Sequence, residues 1–302
     1  VFVKVLGSAA GGGFPQWNCN ARISRLAWDD PALRRTQSSL AVSPDGERFV
    51  IVNTSPDLRT QILDNRELWP RRRGSVRNSP IEAIFLTNAD VDAIAGLLTL
   101  RERQPLRLYA SEAVLAIIGD NRIFDVLALD LVERIAVRPG EKVTPLDGLT
   151  FEPFAVPGKI PLYHEQGDET PETGLISGEN IGLRITDREG ATLFHIPGCA
   201  SIDEDLLDRV GGAACLFFDG TVYNDGELRD AGVGEKTGRR MGHVPIMGPN
   251  GSLDAFSRSK IKRKIYIHIN TTNPILDANS SAAMMVREAG WDIAADGMSF
   301  TL

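Results

Sequence analysis

Cysteine is scarce: Cys19, Cys199 and Cys215 are all that 302 residues contain. An odd, widely spaced set makes no disulfide framework and suits a reducing cytosol. Long apolar runs are lacking too, and none approaches the roughly 20 residues that a membrane span requires. No basic segment followed by an apolar one opens the chain, so export is not expected and the expected location is cytoplasmic. Positive charge is in deficit, with 33 Lys and Arg against 40 Asp and Glu and a net charge of −7. That balance argues against nucleic acid as a partner. Repeats of short period and Pro- or Ser-rich linkers are also missing. What remains is an ordinary globular composition, 42% hydrophobic and 24% charged. A chain of this length buries about three-quarters of its unfolded surface, enough for a sizeable core. One unit over 1–302 is expected.

Apolar and β-branched runs predict strands at 2–6, 39–43, 48–53, 81–86, 107–110, 131–137, 149–155, 181–185, 192–196, 214–218, 265–268 and 298–302. Pro153 predicts an edge strand or a bulge in its run. Helices are predicted at 57–65, 93–103, after Ser111, and at 202–210, 253–257 and 278–289. Strands come in runs and then alternate with helices, twice. Two mixed sheets face to face, with helices outside, accommodate this pattern, an α/β class. Arg71, Arg72, Arg73 and Arg77 mark an exposed loop or lid. Three long loops, at 7–37, 157–180 and 219–251, are candidates for function.

Polar clusters stand where strands end. Asn88, Asp90 and Asp92 alternate on an extended segment, so they project on one side and suit a divalent metal with oxygen ligands. Asp92 is also placed to cap the next helix. Asp219 directly follows an apolar strand, so it must leave the core, meet a charged partner or close a turn onto Thr221. His268 ends another strand and is read as a metal ligand. Arg239, Arg240 and His243 share a glycine-rich loop suited to an anion or to acid–base chemistry. His195 is flanked by apolar residues and reads as a satisfied core histidine, with Cys199 after it at the strand end. His164 reads as solvated. The loop at 11–20, with Trp17 and several amides, suits the mouth of a pocket.

The phrases G-G-G-F-P-Q-W-N-C-N (11–20), L-T-N-A-D-V-D (86–92), H-I-P-G-C (195–199), F-F-D-G-T (217–221), R-R-M-G-H-V-P (239–245) and Y-I-H-I-N (266–270) resemble the pyrroloquinoline quinone (PQQ) biosynthesis protein B family, a branch of the metallo-β-lactamase superfamily. The resemblance covers essentially the whole chain. It implies a four-layer αββα sandwich with its active site along one edge. Of the superfamily's H-x-H-x-D-H motif only Asp92 is kept; Asn88 and Asp90 stand at two histidine positions and Ala93 at the last. His268 matches the later histidine ligand. Either Asp219 or Cys199 fills the bridging position. His243 matches a loop histidine that assists catalysis in phosphodiesterase relatives. A structural zinc site with several cysteines is reduced to Cys19.

The resemblance therefore implies a metal site of Asp90, Asp92, His268 and Asp219, closer to a non-haem Fe(II) centre than to a two-zinc hydrolase, with zinc able to enter purified protein. It implies Fe(II)- and O2-dependent hydroxylation of the tyrosine ring of a cross-linked Glu–Tyr precursor. That partner is a small anionic molecule derived from amino acids. Arg239, Arg240, Asn88 and Trp17 are then expected to bind it, with His243 and Asp219 catalytic. A carrier of PQQ or its precursor, with a role in transport to the periplasm, and a metal-dependent hydrolase are the other readings. A homodimer is left open.

Overall fold

The structure is a computed structural model and describes residues 1–158 and 180–302. His164 and most of the 157–180 loop lie outside the described residues. Two seven-stranded sheets form the centre. The first takes β1 (Phe2–Gly7), β2 (Ser39–Ser43), β3 (Phe49–Val52), β4 (Ile81–Phe85), β5 (Leu106–Ala110) and β6 (Val132–Ala136) in sequence order. The second takes β7 (Val143–Leu146), β8 (Leu149–Ala155), β9 (Ile181–Asp187), β10 (Thr192–Ile196), β11 (Cys215–Asp219), β12 (Lys264–Ile267) and β13 (Trp291–Ile293), also in sequence order. The last strand, β14 (Ser299–Thr301), crosses back to pair antiparallel with β1.

Each sheet is apolar on both faces, which is why its strands read as near-continuous hydrophobic runs. In β4, Ala83 and Phe85 face the space between the sheets, packed with Phe151 and Phe217, while Ile81 and Ile84 face outward. Burying one such large side chain contributes roughly 1.5–3 kcal/mol. Over the outer face of the first sheet lie α2 (Leu58–Asp64), α3 (Val91–Ile94) and α4 (Glu112–Asp120). Outside the second lie α1 (Arg22–Asp29), α5 (Glu204–Val210), α7 (Ser252–Ala255) and α8 (Ser281–Glu288). A short helix, α6 (Glu227–Asp230), sits within the 219–251 loop. The layers run α, β, β, α, the four-layer αββα sandwich that the resemblance implies. Among the described residues, no helix is long and apolar enough to cross a membrane.

Several details differ from expectation. The stretch 7–37 is not all loop: α1 forms there, burying Ile23, Ser24 and Ala27 on one side. β7 and β13 were not predicted; β13 has three residues and exists through its pairing with β12. The predicted helix 93–103 is one α turn followed by a 3₁₀ stretch, Ala95–Leu100. Gly96 explains the tightening. Its NH donates to the Thr54 carbonyl at 2.9 Å, and a Cβ there would meet the Ser55 carbonyl oxygen at 2.1 Å. β8 is not an edge strand, yet Pro153 removes no ladder donor. It pairs with Leu183 on one side and lies past β7 on the other, where its carbonyl accepts from Gly140 at 2.7 Å. The loop carrying Arg71, Arg72, Arg73 and Arg77 is exposed.

Strands β3 to β6 run parallel, as do β10 to β13. The residues at their carboxyl ends gather at one edge, where open α/β sheets place their ligands. The two sheets are stitched there. Ile269, just after β12, forms an isolated bridge with Ala9, just after β1.

Candidate metal and catalytic site

Four segments converge on this edge: 88–92 after β4, 197–199 after β10, 219–221 at the end of β11 and 268–270 after β12. They surround a cavity of about 450 Å³. His268 adopts φ +59°, a left-handed conformation uncommon outside glycine. This bend carries the chain from the second sheet onto Ala9 of the first. Strain of this kind persists only where surrounding bonds over-determine it. Here the Thr221 hydroxyl reaches the His268 carbonyl at 3.0 Å, and the Ile269 NH donates to the Ser8 carbonyl at 3.0 Å.

Asp219 is fully buried, and four donors surround its carboxylate. Oδ2 accepts from the Cys199 NH at 2.9 Å and from His243 Nδ1 at 2.7 Å. Oδ1 accepts from the Thr221 NH at 3.0 Å and the Thr221 hydroxyl at 2.7 Å. A carboxylate accepts only, so His243 carries its proton on Nδ1. In the neutral ring this leaves the lone pair on Nε2, and the ring stacks on that of His268 with centroids 5.3 Å apart.

The same bookkeeping applies to His268. The Thr221 hydroxyl has one hydrogen, which Asp219 Oδ1 and the His268 carbonyl already compete for. His268 Nδ1, at 2.8 Å, must therefore donate to that oxygen. Its Nε2 faces Asp92 Oδ2 at 3.0 Å. An imidazole nitrogen and a carboxylate oxygen are both acceptors, so this contact requires a proton or a cation between them. Without metal, a proton fills the role. Burial works against protonation of His268, but the hydrogen bond and charge of Asp92 outweigh it and raise its pKa. Burial likewise pushes the Asp92 carboxyl up, and His268 outweighs that and holds it below the ordinary carboxylate range. A divalent cation bound by His268 Nε2 would take that proton's place. A further set, Asp219, His243 and His268, offers three ligand atoms within 4.8 Å of one another. Because the cation must displace the His268 proton, its affinity is expected to rise with pH until that raised pKa is passed, then level off. Metal titrations of chelator-treated protein across pH 6–9 check this.

Of the other residues named from sequence, Asn88 and Asp90 line the cavity, and the Asp90 NH donates to Asn88 Oδ1 at 2.9 Å. Asp90 also precedes α3 as its N-terminal residue, whereas Asp92 lies inside the first turn. Asp92 thus does not cap the helix. Arg239, Arg240 and Trp17 are not among the residues lining the cavity. The Arg239 guanidinium donates to the Pro249 carbonyl at 2.7 Å, and Trp17 is 80% exposed. In the 3₁₀ turn Arg239–Met241, followed by Gly242 at φ +81°, it is Met241, Gly242 and His243 that reach the cavity wall. The Cys199 thiol donates to the Ser201 carbonyl at 3.0 Å, and burial raises its pKa. Of the two candidates for the bridging position, Asp219 is the one that hydrogen-bonds to His243.

His195 is buried, as expected, but it is not satisfied: neither ring nitrogen has a hydrogen-bond partner. Its neighbours in the inter-sheet space include Leu183 and Phe217, and burial lowers its pKa to about 3, so it is neutral. The three cysteines are free and buried, and Cys19 accepts from the Ser24 hydroxyl at 3.0 Å. Sequence reasoning missed two residues here. Thr221 joins Asp219 and both histidines, and Glu227 is buried beside the 270–272 segment. Only the Thr two places after Asp219 gave a signal; Glu227 gave none, since its burial comes from chain 45 residues away.

Comparison with known proteins decides the family. A β-lactamase superfamily domain profile matches residues 48–269. Coenzyme PQQ synthesis protein B of Methylobacterium nodulans is 52% identical over 300 residues, covering 99% of each chain. This chain belongs to the coenzyme PQQ synthesis protein B family. A crystal structure of Zn(2+)-bound PqqB from Methylobacterium extorquens is similar over the full length of both chains, at 48% identity and a TM-score of 0.96. A diphosphatase of the PhnP family, at 22% identity and a TM-score of 0.69, shares the fold over 100% of this chain and 97% of its own. In this chain the edge site combines Asp92, Asp219, His243 and His268 in the geometry described above.

Proposed function

We propose that the chain acts in PQQ biosynthesis as a metal-dependent enzyme, hydroxylating the tyrosine ring of a cross-linked Glu–Tyr precursor with Fe(II) and O2. The observation that carries a metal role is the facing of His268 Nε2 and Asp92 Oδ2 at 3.0 Å, a pair that a bound ion would engage in place of the proton they share. Asp92 and His268 would hold the ion, with Asp90 and Asp219 as further oxygen donors. A set with few imidazoles and several carboxylates favours iron chemistry over a two-zinc hydrolase.

Bound iron supplies activation of dioxygen. Overall, one oxygen atom enters the ring and the other leaves as water, using two protons and two electrons from an external reductant. The chain's own residues do the rest. Asp219 fixes the His243 tautomer, leaving Nε2 free to take the phenolic proton of the substrate. Asn88 and the other carboxamides around the cavity hold polar groups of the substrate. Arg239 and Arg240, outside the cavity lining, act on the anionic substrate through the field of their charge, which physiological salt screens beyond about 8 Å. Trp17, exposed on the 11–20 loop, closes over the substrate from the mouth.

The test is metal reconstitution. Protein stripped of metal and loaded anaerobically with Fe(II) is expected to oxidise the precursor on exposure to O2, while zinc-loaded, iron-free protein does not. Equal turnover with zinc would overturn the oxygenase reading.

A further inference from the structure

Glu227 is an acid that the chemistry above does not use. It is 4% exposed, in α6, yet among the described residues it pairs with no cation. Its Oε2 accepts from the Tyr223 NH at 2.6 Å, and its Oε1 accepts from the Thr272 hydroxyl at 2.6 Å. The Thr272 oxygen in turn accepts from Asn270 Nδ2 at 2.7 Å, and the Asn270 side chain also hydrogen-bonds to Glu227 itself. Thr272 is itself 4% exposed, whereas Asn270 lines the edge cavity.

The direction of this relay follows from the donor inventory. A carboxylate can only accept, so the single hydroxyl hydrogen of Thr272 goes to Glu227. Thr272 then has only lone pairs to offer Asn270, which must present its NH2 end. The other end of that carboxamide, Oδ1, makes no hydrogen bond among the described residues. The backbone cannot drift, because the Asn270 NH donates to the Thr221 carbonyl at 3.1 Å and the Asn273 NH donates to the Asn270 carbonyl at 2.9 Å.

We propose that Glu227 is a positioning residue: through Thr272 it holds the Asn270 carboxamide with Oδ1 toward the cavity, where that oxygen accepts a hydrogen bond from an ammonium group of the substrate. This rests on the proposed reading of the cavity as the site for an amino-acid-derived molecule. Burial, with a smaller contribution from the Asp230 charge, raises the Glu227 carboxyl to about 7. Above that pH it is an acceptor only, as the relay requires.

The test compares Thr272→Val, Thr272→Ser and Glu227→Gln with the wild type at pH 8. Glutamine can donate to Thr272, reversing the relay and turning the Asn270 amide; valine breaks it; serine keeps it. The probes are the cross-linked Glu–Tyr precursor with free amino groups and its N-acetylated form. Thr272→Val and Glu227→Gln are expected to weaken the free-amine probe about tenfold, the scale of one hydrogen bond to a charged group. Neither should change binding of the acetylated probe or metal content, and Thr272→Ser should bind both as the wild type does. Unchanged binding of the free-amine probe by both variants would overturn the proposal, and so would equal losses for the two probes. Side-chain amide NMR reads the relay without substrate. The Asn270 NH2 protons should show a cross-peak to the Thr272 methyl group that weakens in Glu227→Gln; a wild type without it overturns the proposal. A wild type that shows the cross-peak but binds neither probe would sink the proposed function and, with it, the ammonium contact.

Discussion

Replacing His268 by asparagine is expected to strip the protein of its metal while leaving the fold in place. Asparagine is chosen because the site bends the chain at φ +59°, a conformation asparagine tolerates better than alanine does. The variant loses the Nε2 that faces Asp92 and the Nδ1–H that meets Thr221. Metal content, read by elemental analysis after loading and desalting, should fall from stoichiometric to background. Stability should fall by only about 1–3 kcal/mol, the cost of hydrogen-bonding groups left without partners. Calorimetry of the metal-free forms isolates that part. A histidine that merely supports the fold would give the opposite pattern, with metal retained and the melting temperature lowered.

The layers of the sandwich were legible because the parallel strands are buried on both faces. Runs such as 81–86 and 214–218 can be little else than inner strands, and a polar residue directly after such a run must sit at the edge. That reasoning found Asp92, Asp219 and His268, which the fold brings to one place. It could not choose between the roles of Asp90 and Asp92. Both alternate on the same side of an extended chain, but α3 begins after Asp90, so Asp90 becomes the helix-preceding residue and Asp92 swings toward His268. The arginines at 239 and 240 looked like a substrate clamp from composition alone. Whether such a side chain faces a cavity depends on a single turn, here closed by left-handed Gly242. Thr221 was legible as the turn partner of Asp219, but not as the link to both histidines, which lie far along the chain. Glu227 was invisible, because nothing in the local sequence marks an acid that chain 45 residues away will bury.

Removing the His243 side chain is expected to lower turnover far more than substrate affinity. Its Nδ1 is committed to Asp219 at 2.7 Å, so the nitrogen left for chemistry is Nε2. A general acid–base acts in the transition state and typically contributes about 10²–10⁴-fold, so His243→Ala should lose turnover on that scale with a near-normal dissociation constant. Asp219→Asn tests the same dyad from its other side. The amide would offer the imidazole a donor at one of its two ends, and it would leave at least one of the four donors now aimed at the carboxylate without an acceptor. The His243 proton is then free to move to Nε2, the wrong tautomer for taking a proton. Turnover should fall in this variant as well, accompanied by a loss of stability, because the site is fully buried. Metal content separates this account from its rival. His243 lies close enough to Asp219 and His268 to share a cation with them. If its role is acid–base, His243→Ala keeps its metal and loses turnover in single-turnover experiments. If metal and turnover vanish together, His243 is a ligand, and the proton must be taken by another group.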